Sequence, residues 1–134
     1  MQYNPVLDWA GNKVAHLAAH RGDVEAVRHT IDVEQSINCR NNVGDTPLMM
    51  TLKGNGSIEQ KLRLIELLVC RRGADLNIRN NDGDTALHVA VSGVVKKRTS
   101  QQVVESLLAL GADVEVTVKF LGPLEYFTTL ASKN

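Results

Sequence analysis

Two histidines, His16 and His20, stand four residues apart, which on a helix places both imidazoles on one face at the spacing of a pair of zinc ligands. The metalloprotease form of that pattern needs Glu directly after the first His, and Leu17 fills the position. No third ligand is evident nearby, so a metal-dependent enzyme has little to rest on and no metal or cofactor is expected. Cys39 and Cys70 form neither a zinc motif nor a disulfide framework, and neither stands beside an acid–base partner that would make a nucleophile. They read as small buried or half-buried residues in a reducing, intracellular setting. Lys96-Lys97-Arg98 is the densest basic run, with Arg71-Arg72 a second. Such runs favour phosphate or an acidic protein surface. However, Lys plus Arg equals Asp plus Glu at 15 each, and aromatics make up only 4%. Nucleic-acid binding is therefore disfavoured, and the run reads as a solvated loop or a contact for an acidic partner. The single tryptophan, Trp9, is either an exposed anchor or a shield for the first helices.

The elements that position these residues follow from turn signals and periodicity. At 134 residues, 43% hydrophobic and 22% charged, the chain can bury a real core as one domain or a short array. No apolar run approaches the roughly 20 residues of a membrane span, and the polar N-terminus does not read as a signal peptide. Asp8-Trp9-Ala10-Gly11, Asn41-Asn42-Val43-Gly44 and Asn80-Asn81-Asp82-Gly83 are turn signals, with their glycines 33 and 39 residues apart. After each comes a short apolar helix: residues 12–20 with Ala15, Ala18 and Ala19; a helix opened by Thr46-Pro47-Leu48; and one capped by Thr85 with Leu87, Ala90 and Val91 inward. A longer helix follows in each unit, carrying Val24, Val27 and Ile31 in the first. Gly73 and Gly111 sit just past apolar helical runs, where a left-handed residue closes a helix. A repeat of this period means stacked supersecondary units.

Thr46-Pro47-Leu48, Thr85-Ala86-Leu87-His88, His16-Leu17-Ala18-Ala19 and the Gly-Ala-Asp triplets at Gly73 and Gly111 carry a resemblance to the ankyrin-repeat family. It covers about residues 8–132. It implies an all-α solenoid of stacked helix pairs with β-turn or hairpin tips, forming a single domain over residues 1–134. The repeats would span about 8–40, 41–79 and 80–116, with a partial capping repeat at 117–132. In the last, Gly122-Pro123-Leu124 stands for Thr-Pro-Leu, Phe120 replaces the turn glycine, and Tyr126 and Phe127 would cover the open end of the core. The resemblance also assigns His16 and His88 to hydrogen bonds across the turns rather than to a metal.

Two departures from the repeat are expected at one register. The second unit runs six residues over the period, with Lys53-Gly54-Asn55-Gly56 as the extra loop and Ser57-Ile58-Glu59-Gln60 as a capping box. The third is about five residues longer between its helices, from Gly93 to Arg98, with Thr99-Ser100-Gln101-Gln102 offering a second box. Insertions at one register map to one face of an array.

The resemblance implies a non-catalytic protein-binding module that works inside the cell, in the cytoplasm or nucleus. The positions matching the family's variable tips are Trp9, Ala10 and Asn12, then Asn42, Val43 and Asp45, then Asn81, Asp82 and Asp84. The last group favours a partner with basic residues facing Asp82 and Asp84. Met49 on the concave face and Lys96, Lys97 and Arg98 in the loop are secondary candidates. Neither a membrane nor a small-molecule substrate is implied. In scale the chain is similar to short viral and bacterial ankyrin proteins aimed at host signalling, including mimics of inhibitors of NF-κB. A domain of a larger adaptor fits equally.

Overall fold

The computed structural model describes residues 10–34, 37–97 and 99–111; the expectations for Trp9, Arg98 and the capping unit at 117–132 lie outside them. Six helices form three consecutive pairs. They are α1 (Val14–Arg21) with α2 (Val24–Glu34), α3 (Pro47–Lys53) with α4 (Ile58–Ile65), and α5 (Ala86–Val95) with α6 (Gln101–Ala109). A π-helical turn, Glu66–Arg71, continues α4. No strand occurs among the described residues, so the molecule is an all-α solenoid whose tips are turns rather than paired hairpin strands.

The first helices of the pairs, α1, α3 and α5, stack on one another as an inner layer, and α4 and α6 pack together behind them. Small and aliphatic residues allow that approach: Ala18, Ala19, Leu48, Leu52, Leu87 and Ala90 are all buried in one core with Val27, Ile65, Leu68 and Leu107. Helix α3 is enclosed on every side, since Pro47 through Leu52 are all buried. It starts where the sequence says it should. Thr46 accepts from the Met49 N–H at 3.3 Å, and Pro47 occupies the first turn, where no N–H is missed.

The first insertion forms the expected loop, but it is a packing element rather than a free edge. The Asn55 N–H donates to the His20 carbonyl at 2.8 Å, and a methyl group on Gly54 would collide with that same carbonyl. Beyond it the capping box closes as expected. Ser57 Oγ accepts from the Gln60 N–H at 3.1 Å, and Gln60 Oε1 accepts from the Ser57 N–H at 2.9 Å.

The second insertion departs from expectation twice. Helix α5 runs through Gly93 to Val95, so the extra residues lengthen the helix before they form a loop. The box at Thr99 does not form, because α6 begins at Gln101 with Ser100 as its cap. That shift of one residue puts Val103 at the third helical position, where an apolar side chain cannot reach back to the cap amide. Thr99 Oγ1 and Ser100 Oγ are buried without a hydrogen-bond partner among the described residues.

Candidate partner-binding surface

The second and third tips are each closed by an Asn that folds its own turn. Asn41 Oδ1 accepts from the N–H groups of Val43 (3.1 Å) and Asp45 (3.0 Å), and Asn80 Oδ1 does the same for Asp82 (2.9 Å) and Asp84 (3.0 Å). The turns are then joined to one another. The Asn42 N–H donates to the Ala10 carbonyl and the Asn81 N–H to the Val43 carbonyl, both at 2.9 Å. The side-chain amide of Asn41 donates to Asn12 Oδ1 at 2.8 Å, and that of Asn80 to Asp45 Oδ1 at 3.0 Å. The tips are one hydrogen-bonded row, and a partner would meet a surface already ordered.

This row corrects part of the expected surface. Asn12 and Asp45, expected to face a partner, are buried because each accepts the amide of the following unit. Asp45 is only 2% exposed, and its second carboxylate oxygen holds Lys53 Nζ at 2.6 Å. Met49, at 1% exposure, packs in the core instead of reaching the concave face. Ala10, Asn42, Val43, Asn81 and Asp82 are exposed, and Asp84 is half-buried. Val43 is 50% exposed, an apolar side chain held outward at the centre of the row.

Beside the tips lies a groove of about 460 Å³ whose wall includes His20, Lys53, Asp82, Asp84, Ser92 and Lys96. It brings the acidic tip of the third unit together with the first residues of both insertions. Among the described residues Asp82, Asp84 and Lys96 make no ion pair, so the groove presents carboxylates and an amine that no other described residue neutralises. Lys97 is exposed, with φ of 61°, and does not line it. Sequence reasoning missed His20, Lys53 and Ser92 here. The signal was available, because all three stand nine residues after a tip glycine.

The imidazole of His16 is fully buried and cannot serve a metal, because both ring nitrogens are engaged. Carbonyls only accept, so Nε2 carries the proton and donates to Asp45 O at 2.9 Å and Cys39 O at 3.2 Å. Nδ1 accepts from the Lys13 N–H at 3.0 Å. Burial pushes this imidazole below the ordinary value of 6.5, against the opposing pull of the Asp45 and Cys39 carbonyls. In the unfolded chain His16 titrates normally, so the unfolded state binds the extra proton as pH falls below 6.5. The neutral ring's contribution to stability is complete above that value and declines as pH falls toward the depressed folded pKa. The melting temperature should therefore drop as pH falls below about 6.5, and His16→Gln should flatten part of that slope. Equal slopes for both proteins would assign the effect elsewhere.

Among the described residues no group of three His, Cys, Asp or Glu is placed to hold a metal ion, and no helix is long and apolar enough to cross a membrane. No curated protein gives a significant match. A family model for ankyrin repeats, in three copies, matches residues 15–118. That span covers most of the chain, taking in the six described helices but for the first residue of α1 and the second and third tips, so the chain belongs to the ankyrin-repeat family.

Proposed function

We propose that this chain is a non-catalytic binding module that holds a protein partner across the exposed tips Ala10, Asn42, Val43, Asn81 and Asp82 and the adjoining groove. Ankyrin repeats generally mediate protein–protein interaction and are typically non-catalytic. The observation that carries the siting is the exposed Val43 in a row whose backbone is fixed by inter-unit hydrogen bonds. A rigid apolar side chain ringed by polar groups is a good interface anchor. Next to it, Asp82 and Asp84 favour basic residues on the partner, while Lys96 across the groove favours an acidic one.

In its finer form, the partner is a signalling protein whose surface is blocked by occupancy, as with short viral or bacterial ankyrin proteins that mimic inhibitors of NF-κB. A domain of a larger adaptor would use the same surface. Cys39 and Cys70 form no disulfide, which fits an intracellular setting, in the cytoplasm, the nucleus or a host cell. Quantitative affinity capture with immobilised wild-type chain and the variant Val43→Glu with Asp82→Lys tests the siting. Proteins held through the tips should lose about tenfold or more in retention by the variant, with its melting temperature unchanged. Equal capture by both would remove the tips as the binding surface.

A further inference from the structure

On the opposite side, the outer helices α2 and α4 touch at only a few places, leaving a groove of about 1090 Å³ between α2 and the α4–π segment. Five arginines line it: Arg21, Arg28, Arg63, Arg71 and Arg72, against three carboxylates, Asp23, Glu25 and Glu66. This is a local cationic excess on a chain whose formal net charge is zero. The π-helical turn contributes to it. By adding a residue per turn it rotates the residues beyond it, and Arg72 comes to pair with Asp32 of α2.

The carboxylates only partly answer these cations. Arg21 makes no ion pair among the described residues. Arg28 pairs with Glu25 at 3.2 Å within the lining, Arg71 meets Glu66 only at 3.9 Å, and Arg63 pairs with Glu59, which is not part of the lining. Asp23 is engaged at the start of α2, accepting from the Ala26 N–H at 3.1 Å. These pairs are exposed, and exposed pairs hold weakly, so a ligand carboxylate can exchange with them. The wall between the arginines includes Val24 and Leu67.

We propose that this groove is a second docking site, distinct from the tips, for an acidic peptide segment of a protein partner. Arginine offers a planar fork that takes a carboxylate two bonds at a time. The apolar wall receives a side chain between the acidic ones. Carboxylate spacing along a peptide also suits a rim that keeps Glu25 and Glu66. A polyphosphate backbone, charged at every repeat, would meet those two carboxylates without a gap to accommodate them, and the groove offers no aromatic ring for a base to stack on.

The test is fluorescence anisotropy of a short labelled peptide of alternating Glu and Leu, with full-length chain at low and physiological salt. Saturable binding that weakens with salt is expected. Arg21→Glu with Arg63→Glu and Arg71→Glu should reduce affinity about tenfold or more, while Asp82→Lys with Asp84→Lys leaves it no weaker. All these side chains except the half-buried Asp84 are exposed, and the neutralising Arg→Gln triple, expected to show an intermediate loss, separates charge from folding. The proposal is overturned by absence of saturable binding at low salt, by equal binding to the reversed triple, or by a short RNA or a phosphopeptide displacing the peptide at lower concentration.

Discussion

Asp45→Ala should destabilise the fold by about 3 kcal/mol, lowering the melting temperature by roughly 10 °C for a chain of this size. Asp45 joins all three units. Its backbone carbonyl accepts from His16 of the first at 2.9 Å. One carboxylate oxygen accepts from Asn80 of the third at 3.0 Å, and the other holds Lys53 at 2.6 Å. Alanine removes both side-chain interactions and leaves the Asn80 amide buried without its acceptor, which is the costly outcome for a hydrogen bond. Lys53 is 39% exposed and recovers water, which keeps the loss below that of a fully buried ion pair. Asp45→Asn should lose only about half as much, since Asn12 at the same register already accepts from Asn41 as a neutral amide. Thermal melts of the three proteins decide it: an Ala variant melting within about 2 °C of wild type would mean that these bonds do not tie the units together.

The second large effect is expected at Gly54. Its φ is −86°, a conformation open to any residue, so backbone preference alone would make Gly54→Ala harmless. The obstacle is space, because the added methyl would meet the His20 carbonyl, which cannot turn aside without giving up the bond from Asn55. Overpacking against backbone together with the lost hydrogen bond amounts to about 2–4 kcal/mol. Gly83 makes the contrast. It has φ of 83° and nothing within 4 Å of an added methyl, so Gly83→Ala should cost only about 1 kcal/mol of left-handed strain. Urea denaturation of both variants ranks them, and a larger loss at Gly83 would show that the insertion does not press on the first unit.

The period of the units was legible because it is written in residues whose local physics is decisive. The glycines at the tips, the Thr46-Pro47 start and the Ser57 box all act over a few bonds. What escaped was set by distant neighbours. Asp has the same preference for a turn whether its carboxylate points outward or inward, and Asp45 is turned inward by Lys53 eight residues on and Asn80 thirty-five residues on. Met49 is buried by the helices on either side, which no local pattern encodes. The residues of the π-helical turn are ordinary α-helix formers, so its arginine groove was invisible to periodicity. Lys61 reads as a surface residue of α4, yet it is buried, and burial lowers its pKa.

The asparagine bonds that join the tips all point one way, while Arg40 and His16 donate in the opposite sense, to the Arg79 and Asp45 carbonyls. Asn42 and Asn81 donate their N–H groups, and Asn41 and Asn80 their side-chain amides, to acceptors in the preceding unit. In its asparagine bonds the stack is therefore polar in the sense that a filament is polar, with a donating side and an accepting side on the middle unit. A copy of the second unit spliced in after itself would find acceptors behind it and supply them ahead, without any change of residue. Nothing in this linkage sets a length. The same joint serves three units or many.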